Sequence, residues 1–297
     1  MSRVPATRLA ALAAVFFALA STAWAGDSDP GVARATSFGG SCRGCSLSGR
    51  KLTGAAFAGG DFSKAVLTGA DLRGASFTGA TFIGADFSRA DLRSASLLSV
   101  NFTNANFTDA RLDGLEGAGA TFIGANLKRA QLSSAQLLGA NFNRASLADA
   151  RLGGAELVAS NLIDVDARMA DFHDADLTGS RLINGRFQGA SFRGADLTSA
   201  DLSHGQFAGA DFHDAEMEGA RLYGADLSTA HGLTQGQLES VCTDGSTRLP
   251  AGLWTARGCH GPIHLRLHIP GAPPSPPAPP APLAPPAPAA LHQRGGG

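Results

Sequence analysis

Ala70-Asp71-Leu72-Arg73-Gly74-Ala75-Ser76-Phe77-Thr78-Gly79 contains two copies of one five-residue unit. Each copy runs small residue, polar residue, large apolar residue, then two residues that are mostly polar or glycine. The phase holds from Leu47 to Leu227 through 37 consecutive units, and Leu, Phe or Met fills the centre of 35 of them. The exceptions are Gly117 and Ala167. A buried helix face needs apolar residues recurring near 3.6 positions and a strand near 2. A strict five fits neither, because a helical stripe would rotate around the whole cylinder over this length. The chain must therefore wind, with each pentad forming one side of a coil, which makes it a solenoid.

A second period fixes the number of sides. Centres taken every 20 residues read Phe62, Phe82, Phe102, Phe122, Phe142, then Leu162 to Leu222. Another column is Leu from Leu52 to Leu152, then Phe172, Phe192 and Phe212. Like stands above like at a spacing of 20, so four pentads make one coil and the phenylalanines form a core ladder. Burial of each Phe or Leu contributes roughly 1.5–3 kcal/mol. The two exceptions have large residues beside them: Leu115 precedes Gly117 and Val165 precedes Ala167, where Ala is usual. This predicts volume compensation, since an unfilled cavity destabilises a core.

The units Ala70-Asp71-Leu72-Arg73-Gly74, Ala125-Asn126-Leu127-Lys128-Arg129 and Ala225-Asp226-Leu227-Ser228-Thr229 resemble the A-(D/N)-L-x-x pattern of the pentapeptide repeat family. The resemblance covers about 190 of the 297 residues. It implies an all-β, right-handed quadrilateral β-helix, with the small and central residues inward and the other three outward. Coils about 4.8 Å apart would make a rod roughly 45 Å long.

The chain divides into a leader (1–25), an N-terminal linker or cap (26–41), the repeat (42–230), a C-terminal cap (231–260) and a Pro/Ala-rich tail (261–297). Arg3 and Arg8, the apolar run Leu9 to Ala20, and Ala23-Trp24-Ala25 read as a secretory signal peptide. Its removal leaves no membrane span, and the expected location is periplasmic or secreted. Cys42, Cys45, Cys242 and Cys259 all lie at or beyond the ends of the repeat. Export makes disulfides the natural reading. A bridge needs Cα atoms about 4.4–6.8 Å apart, so the rod length excludes end-to-end pairs and leaves Cys42–Cys45 and Cys242–Cys259. Thr234 and Gln237 match a capping box at the start of a short helix to about Val241. Eleven of the 21 residues from Pro270 to Ala290 are proline, a composition for a disordered or polyproline-like tail that serves as a spacer or as a ligand for an aromatic groove.

Without the leader, the chain carries 22 basic and 25 acidic residues, which argues against direct nucleic-acid binding through phosphate neutralisation. Residues 42–130 hold ten basic and seven acidic side chains, residues 131–230 seven and fourteen. His173 and His213, in identical Ala-Asp-Phe-His-Asp-Ala hexapeptides, should share an outward column with Arg193 between them. At two coils, roughly 9–10 Å, they are too far apart for one metal. Cys259, His260, His264 and His268 are the remaining cluster. No phosphate-loop, zinc-protease or nucleophile-elbow motif occurs. No cofactor, metal or catalytic residue is assigned. The expectation is a non-catalytic exported rod that presents its surface to a protein or an envelope polysaccharide. Some cytoplasmic members of the resembling family imitate duplex DNA and protect type II topoisomerases. That is the alternative function, and the export signal and mild acidity here depart from it.

Overall fold

The computed structural model describes residues 40–255. The leader, nearly all of the linker, the end of the cap with Cys259, and the tail lie outside the described residues. The chain coils with four pentads per turn. Residues preceding the centres pair in parallel with the residue 20 positions on, from Ser46↔Val66 to Asp211↔His231 without a slip. Each side contributes only one such residue. Four of the five residues in each pentad also belong to a turn, so no side is long enough for a strand of ordinary length.

One pentad shows how the backbone is satisfied. The Leu72 N–H donates to the Asp91 carbonyl of the next coil at 2.7 Å, and the Gly74 N–H to the Arg93 carbonyl at 3.0 Å. The Ala75 N–H closes a turn onto the Leu72 carbonyl at 3.0 Å. The Asp71 N–H reaches back to the Arg50 carbonyl at 2.9 Å. One N–H per pentad remains, on the residue after the centre. The aspartate or asparagine before the centre accepts it: Ser88 N–H to Asp86 at 2.9 Å and Thr103 N–H to Asn101 at 3.0 Å. This is an Asx turn, and it explains why the repeat favours Asp and Asn at that place. Buried or half-buried backbone donors need partners.

Every fifth residue from Gly44 to Gly224, two after Cys42 and after each centre through Leu222, has a positive φ, and 18 of these residues are not glycine. With a negative φ before it and the hydrogen bond across the turn, this is the type II pattern. A left-handed conformation costs an L-residue roughly 1–2 kcal/mol. The corners are therefore more than glycine hinges. The coil-to-coil ladder holds Arg89, Asn104 and Met169 in the same conformation as Gly84.

All the centres and nearly all the small residues two before them are buried in one core. Phe122 and Phe142 stack with centroids 4.9 Å apart and planes within 2°, and Phe172, Phe192 and Phe212 stack at 5.1 and 5.2 Å. Phe62, Phe82, Phe102 and Phe122 continue the first ladder at 5.0 to 5.6 Å. Shorter stacks, Phe57–Phe77, Phe87–Phe107 and Phe187–Phe207, stand on the other two sides, so phenylalanines stack on all four, with edge-on contacts such as Phe87–Phe102 at 5.4 Å between columns. Both arrangements suit the ring quadrupole. A Cβ on Gly117 would stand 2.9 Å from Leu137 Cδ2 and 3.2 Å from Leu115 Cδ1. Leu115 and Leu137 therefore occupy the volume that a centre side chain would have taken.

At the end of the repeat, helix α1 (Gln235–Glu239) opens with the Thr234–Gln237 capping box. It is shorter than the sequence suggests, because the chain must turn at Ser240 to bring Cys242 alongside Arg221. Gln237 Nε2 also donates to the carbonyls of Phe212 at 3.0 Å and Ala215 at 2.8 Å. Leu238 and Val241 are buried against the last coil. Cys242 and Arg248 pair with Arg221 and Asp226, at offsets of 21 and 22, so non-repeat sequence continues two further sides.

Candidate functional site

The interior of the repeat is filled with side chains, and the four sides of its outer surface differ. They are named here by their first central residues, Leu47, Leu52, Phe57 and Phe62. On the Leu52 side, Arg73 pairs with Asp71 and Arg93 with Asp91, both at 2.7 Å. On the Leu47 side, Arg129 pairs with Asp109 and Arg168 with Asp166, both at 2.7 Å. The Phe62 side has the looser pairs Arg144–Asp164 and Arg221–Asp201, each at 3.9 Å. Hydrogen bonds from the Arg93 side chain hold the Asp91 carboxyl below the ordinary range, against the opposing effect of burial. The Ser228 hydroxyl and N–H do the same for Asp226. These carboxylates are occupied with holding turns and neighbouring arginines.

The Phe57 side is different. Its outward positions carry Glu116, Glu156, Asp176, Asp196, Glu216 and Glu218, and no Lys, Arg or His. None of these six makes an ion pair among the described residues. Charge counts along the chain assign the excess acid to the C-terminal half, whereas the structure gathers most of the acid without an ion pair on one side, Asp149 and Asp174 lying elsewhere. Asp176 and Asp196 still serve their turns through the N–H groups of Thr178 and Thr198, both at N···O distances under 3 Å. The signal that sequence reading missed is the choice between Asp and Glu. Every glutamate of the repeat lies on this side, visible only when the polar positions too are written in columns of 20.

The sequence-derived candidates fall as follows. Cys42 and Cys45 are joined in a disulfide with Cα atoms 5.5 Å apart, at the start of the first coil. Cys242 is also disulfide-bonded, in the segment that continues the last coil; Cys259, with which the sequence pairs it, lies outside the described residues, as do His260, His264 and His268. His173, Arg193 and His213 occupy successive coils. Each imidazole turns to its own aspartate, His173 Nδ1 to Asp171 at 2.9 Å and His213 Nδ1 to Asp211. Arg193 reaches Asp211 at 3.9 Å and Asp214 at 4.0 Å. The two histidines are therefore not brought together. Among the described residues no group of three or more His, Cys, Asp or Glu is placed to hold a metal ion. A shallow hollow on the Phe62 side is lined by Ile123, Asn143, Arg144, Ile163 and Asp164. Its only charged groups face each other. Among the described residues, no helix is long and apolar enough to cross a membrane.

A family model described as pentapeptide repeats matches the chain in eight copies between residues 41 and 228. No curated protein matches it. The chain is similar to the crystal structure of HetL, a pentapeptide repeat protein involved in heterocyst differentiation regulation from the cyanobacterium Nostoc sp. strain PCC 7120. The identity is 28%, over 67% of this chain and 92% of that one, with a TM-score of 0.62. Full-length QnrB1, a plasmid-mediated fluoroquinolone resistance protein, matches at 18% identity over 69% and 92%, with a TM-score of 0.25. A pentapeptide repeat protein from the Arabidopsis thaliana thylakoid lumen matches at 23% over 53% and 68%, with a TM-score of 0.16.

Proposed function

The chain belongs to the pentapeptide repeat family, and from that membership we propose that it is a non-catalytic rod, exported to serve as a structural or protein-interaction scaffold in the cell envelope. The observation that carries this is the interior. Centres and small residues fill it along the whole repeat, so substrate has no enclosed place to bind and function falls to the faces. A regularly spaced surface is suited to an extended partner, a protein or an envelope polysaccharide. The leader-like first 25 residues and the joined Cys42 and Cys45 support export, since disulfides persist in oxidising compartments. The segment after residue 230 acts as the cap that keeps the last coil from pairing with another chain. Protection of a topoisomerase by DNA mimicry would call for acid around the rod. Here three sides intersperse arginine with aspartate.

Two experiments test the proposal. Residues 1–30 are fused to a reporter that is active only outside the cytoplasm. Activity supports export; a silent, soluble cytoplasmic fusion removes it and restores the topoisomerase alternative. The tagged full chain is then cross-linked in cells and purified. Reproducible recovery of a defined partner supports the scaffold, and its absence from every compartment contradicts it.

A further inference from the structure

We propose that the Phe57 side is the docking face of the rod, and that its occupant is an extended polypeptide segment with alternating basic and apolar side chains. The inference rests on the scaffold reading and specifies which face acts and on what.

The first observation concerns the acidic residues. Aspartate before a centre is a folding residue in this repeat, because its short side chain accepts the N–H two positions on, as in Asp86, Asp176 and Asp226. Glutamate does not take that part. Glu116, Glu156 and Glu216 stand at the same place in their pentads, are exposed, and make no such bond among the described residues. The fold has no use for them, yet they share one side with Glu218 while the other three sides carry no glutamate in the repeat.

The second observation is the adjacent row. Leu98, Ala118, Leu138 and Val158 follow one another in successive coils, linked by hydrogen bonds from Gly79, Ser99, Gly119 and Gly139 to their carbonyls. Leu98 is 43% exposed and Leu138 44%. Of the five large apolar side chains exposed among the described residues, these two share this row, and a third, Ile83, lies just around a corner made of Gly79 and Ser99. An aliphatic row does not contribute to solubility, and contiguous exposed apolar surface marks interaction sites.

The two rows overlap over three coils, where Glu116, Gln136 and Glu156 stand beside Ala118, Leu138 and Val158; Leu98 extends the aliphatic row one coil toward the N-terminus and Asp176, Asp196 and Glu216 extend the acidic row toward the C-terminus, at the coil spacing of about 4.8 Å. A partner must bury aliphatic groups on one row and bring positive charge to the other, with no cation on this side to oppose it. A neutral glycan would leave the carboxylates unmatched, and a nucleic acid would be repelled. A second copy turned antiparallel on the same face would set carboxylate row against carboxylate row. An extended basic and apolar polypeptide satisfies both rows, the charges giving orientation and the aliphatic contacts the residence time.

The test uses the full chain and a fluorescent 16-residue peptide alternating Lys and Leu, with an all-Lys and an alternating Ser and Leu peptide of the same length. Binding is read by anisotropy. The Lys/Leu peptide should bind at least tenfold more tightly than either control. Leu98→Ser with Leu138→Ser should weaken it at least tenfold, and Glu116→Gln with Glu156→Gln should weaken it comparably. Asp149→Asn with Glu239→Gln, an equal charge change off this face, should alter it less than twofold. Circular dichroism melts show that each variant is folded. Equal binding of the all-Lys peptide, or indifference to the leucine changes, overturns the proposal. So does concentration-dependent dimerisation in sedimentation that the leucine changes abolish, because the occupant is then a second copy. A cellular partner that still cross-links to the Leu98/Leu138 variant leaves the scaffold reading standing and removes this one.

Discussion

The Leu115–Gly117 exchange gives the sharpest energetic test of how this core is packed. Leu115 is fully buried at a place where Ala is usual, and its Cδ1 lies 3.2 Å from the point where a Gly117 Cβ would stand. Leu115→Ala removes three buried carbons beside a centre that has no side chain. Leu→Ala changes in cores cost about 2–5 kcal/mol, increasing with residual cavity volume, and the value here should lie in the upper half of that range. Gly117→Leu alone forces a side chain against Leu137 Cδ2, already 2.9 Å from the Cβ position; overpacking costs about 1–3 kcal/mol. The double variant restores the pattern of the other units, Ala then Leu, and its cost should fall below the sum of the singles by at least about 2 kcal/mol, well outside the additivity expected of independent sites. Urea unfolding followed by far-ultraviolet circular dichroism measures all three. At about 2–4 °C per kcal/mol for a domain of this size, Leu115→Ala alone should lower Tm by roughly 7–20 °C. Additivity within about 0.5 kcal/mol would refute volume compensation.

Ser160 and Ser180 both replace the usual inward Ala, but Ser160 Oγ donates to the Leu137 carbonyl at 2.8 Å whereas Ser180 Oγ is buried with no hydrogen-bond partner among the described residues. Thermal melts should show Ser180→Ala stabilising by about 1 kcal/mol and Ser160→Ala destabilising by a similar amount; the reverse order contradicts the hydrogen-bond assignment. Asp86 accepts from the Ser88 N–H, Thr68 Oγ1 and Asn106 Nδ2 at 2.9 to 3.0 Å. Asp86→Ala should therefore cost about 1–3 kcal/mol in the same urea titration, and Asp86→Asn less than half of that, since an amide oxygen can still accept the N–H. The carboxyls of Asp71, Asp86, Asp91, Asp166 and Asp226 are all held below their ordinary value. A lowered folded pKa adds stability that is fully present above the unfolded value near 3.9 and is lost as pH falls through the folded value. Tm measured by calorimetry should thus be insensitive to these groups above about pH 5 and decline below about pH 4; a Tm that rises on acidification would contradict it.

The inward residues were the most legible part of the sequence. Phe62 to Phe142 announce a coil of 20 because a stacked interior tolerates only like shapes above like, and packing writes itself into every unit. The gap at Gly117 was legible for the same reason, through Leu115. The outward residues carry a weaker record, since solvent accepts many side chains. The left-handed corners show this: Gly84 suggests its own conformation, but nothing in Arg89 or Met169 does, and only the ladder above and below holds them there. The Asp and Asn before the centres read in the sequence only as outward polar residues, whereas Asp86 and Asn101 accept the N–H groups of Ser88 and Thr103. That assignment in turn separates glutamate from aspartate and exposes the Phe57 side. Helix α1 ended early because tertiary pairing of Cys242 with Arg221 overrides local propensity.

Distances along one row measure the coil stack itself. Spin labels on Thr78 and Thr198, six coils apart on the Phe57 side, should lie about 29 Å apart at 4.8 Å per coil, and moving the second label to Thr178 should shorten the distance by about one coil. Double electron–electron resonance reads both. Agreement to within the label length, with the single-coil step resolved, is the predicted outcome; a separation that does not change with the number of intervening coils would contradict the stacked architecture on which every face and ladder depends.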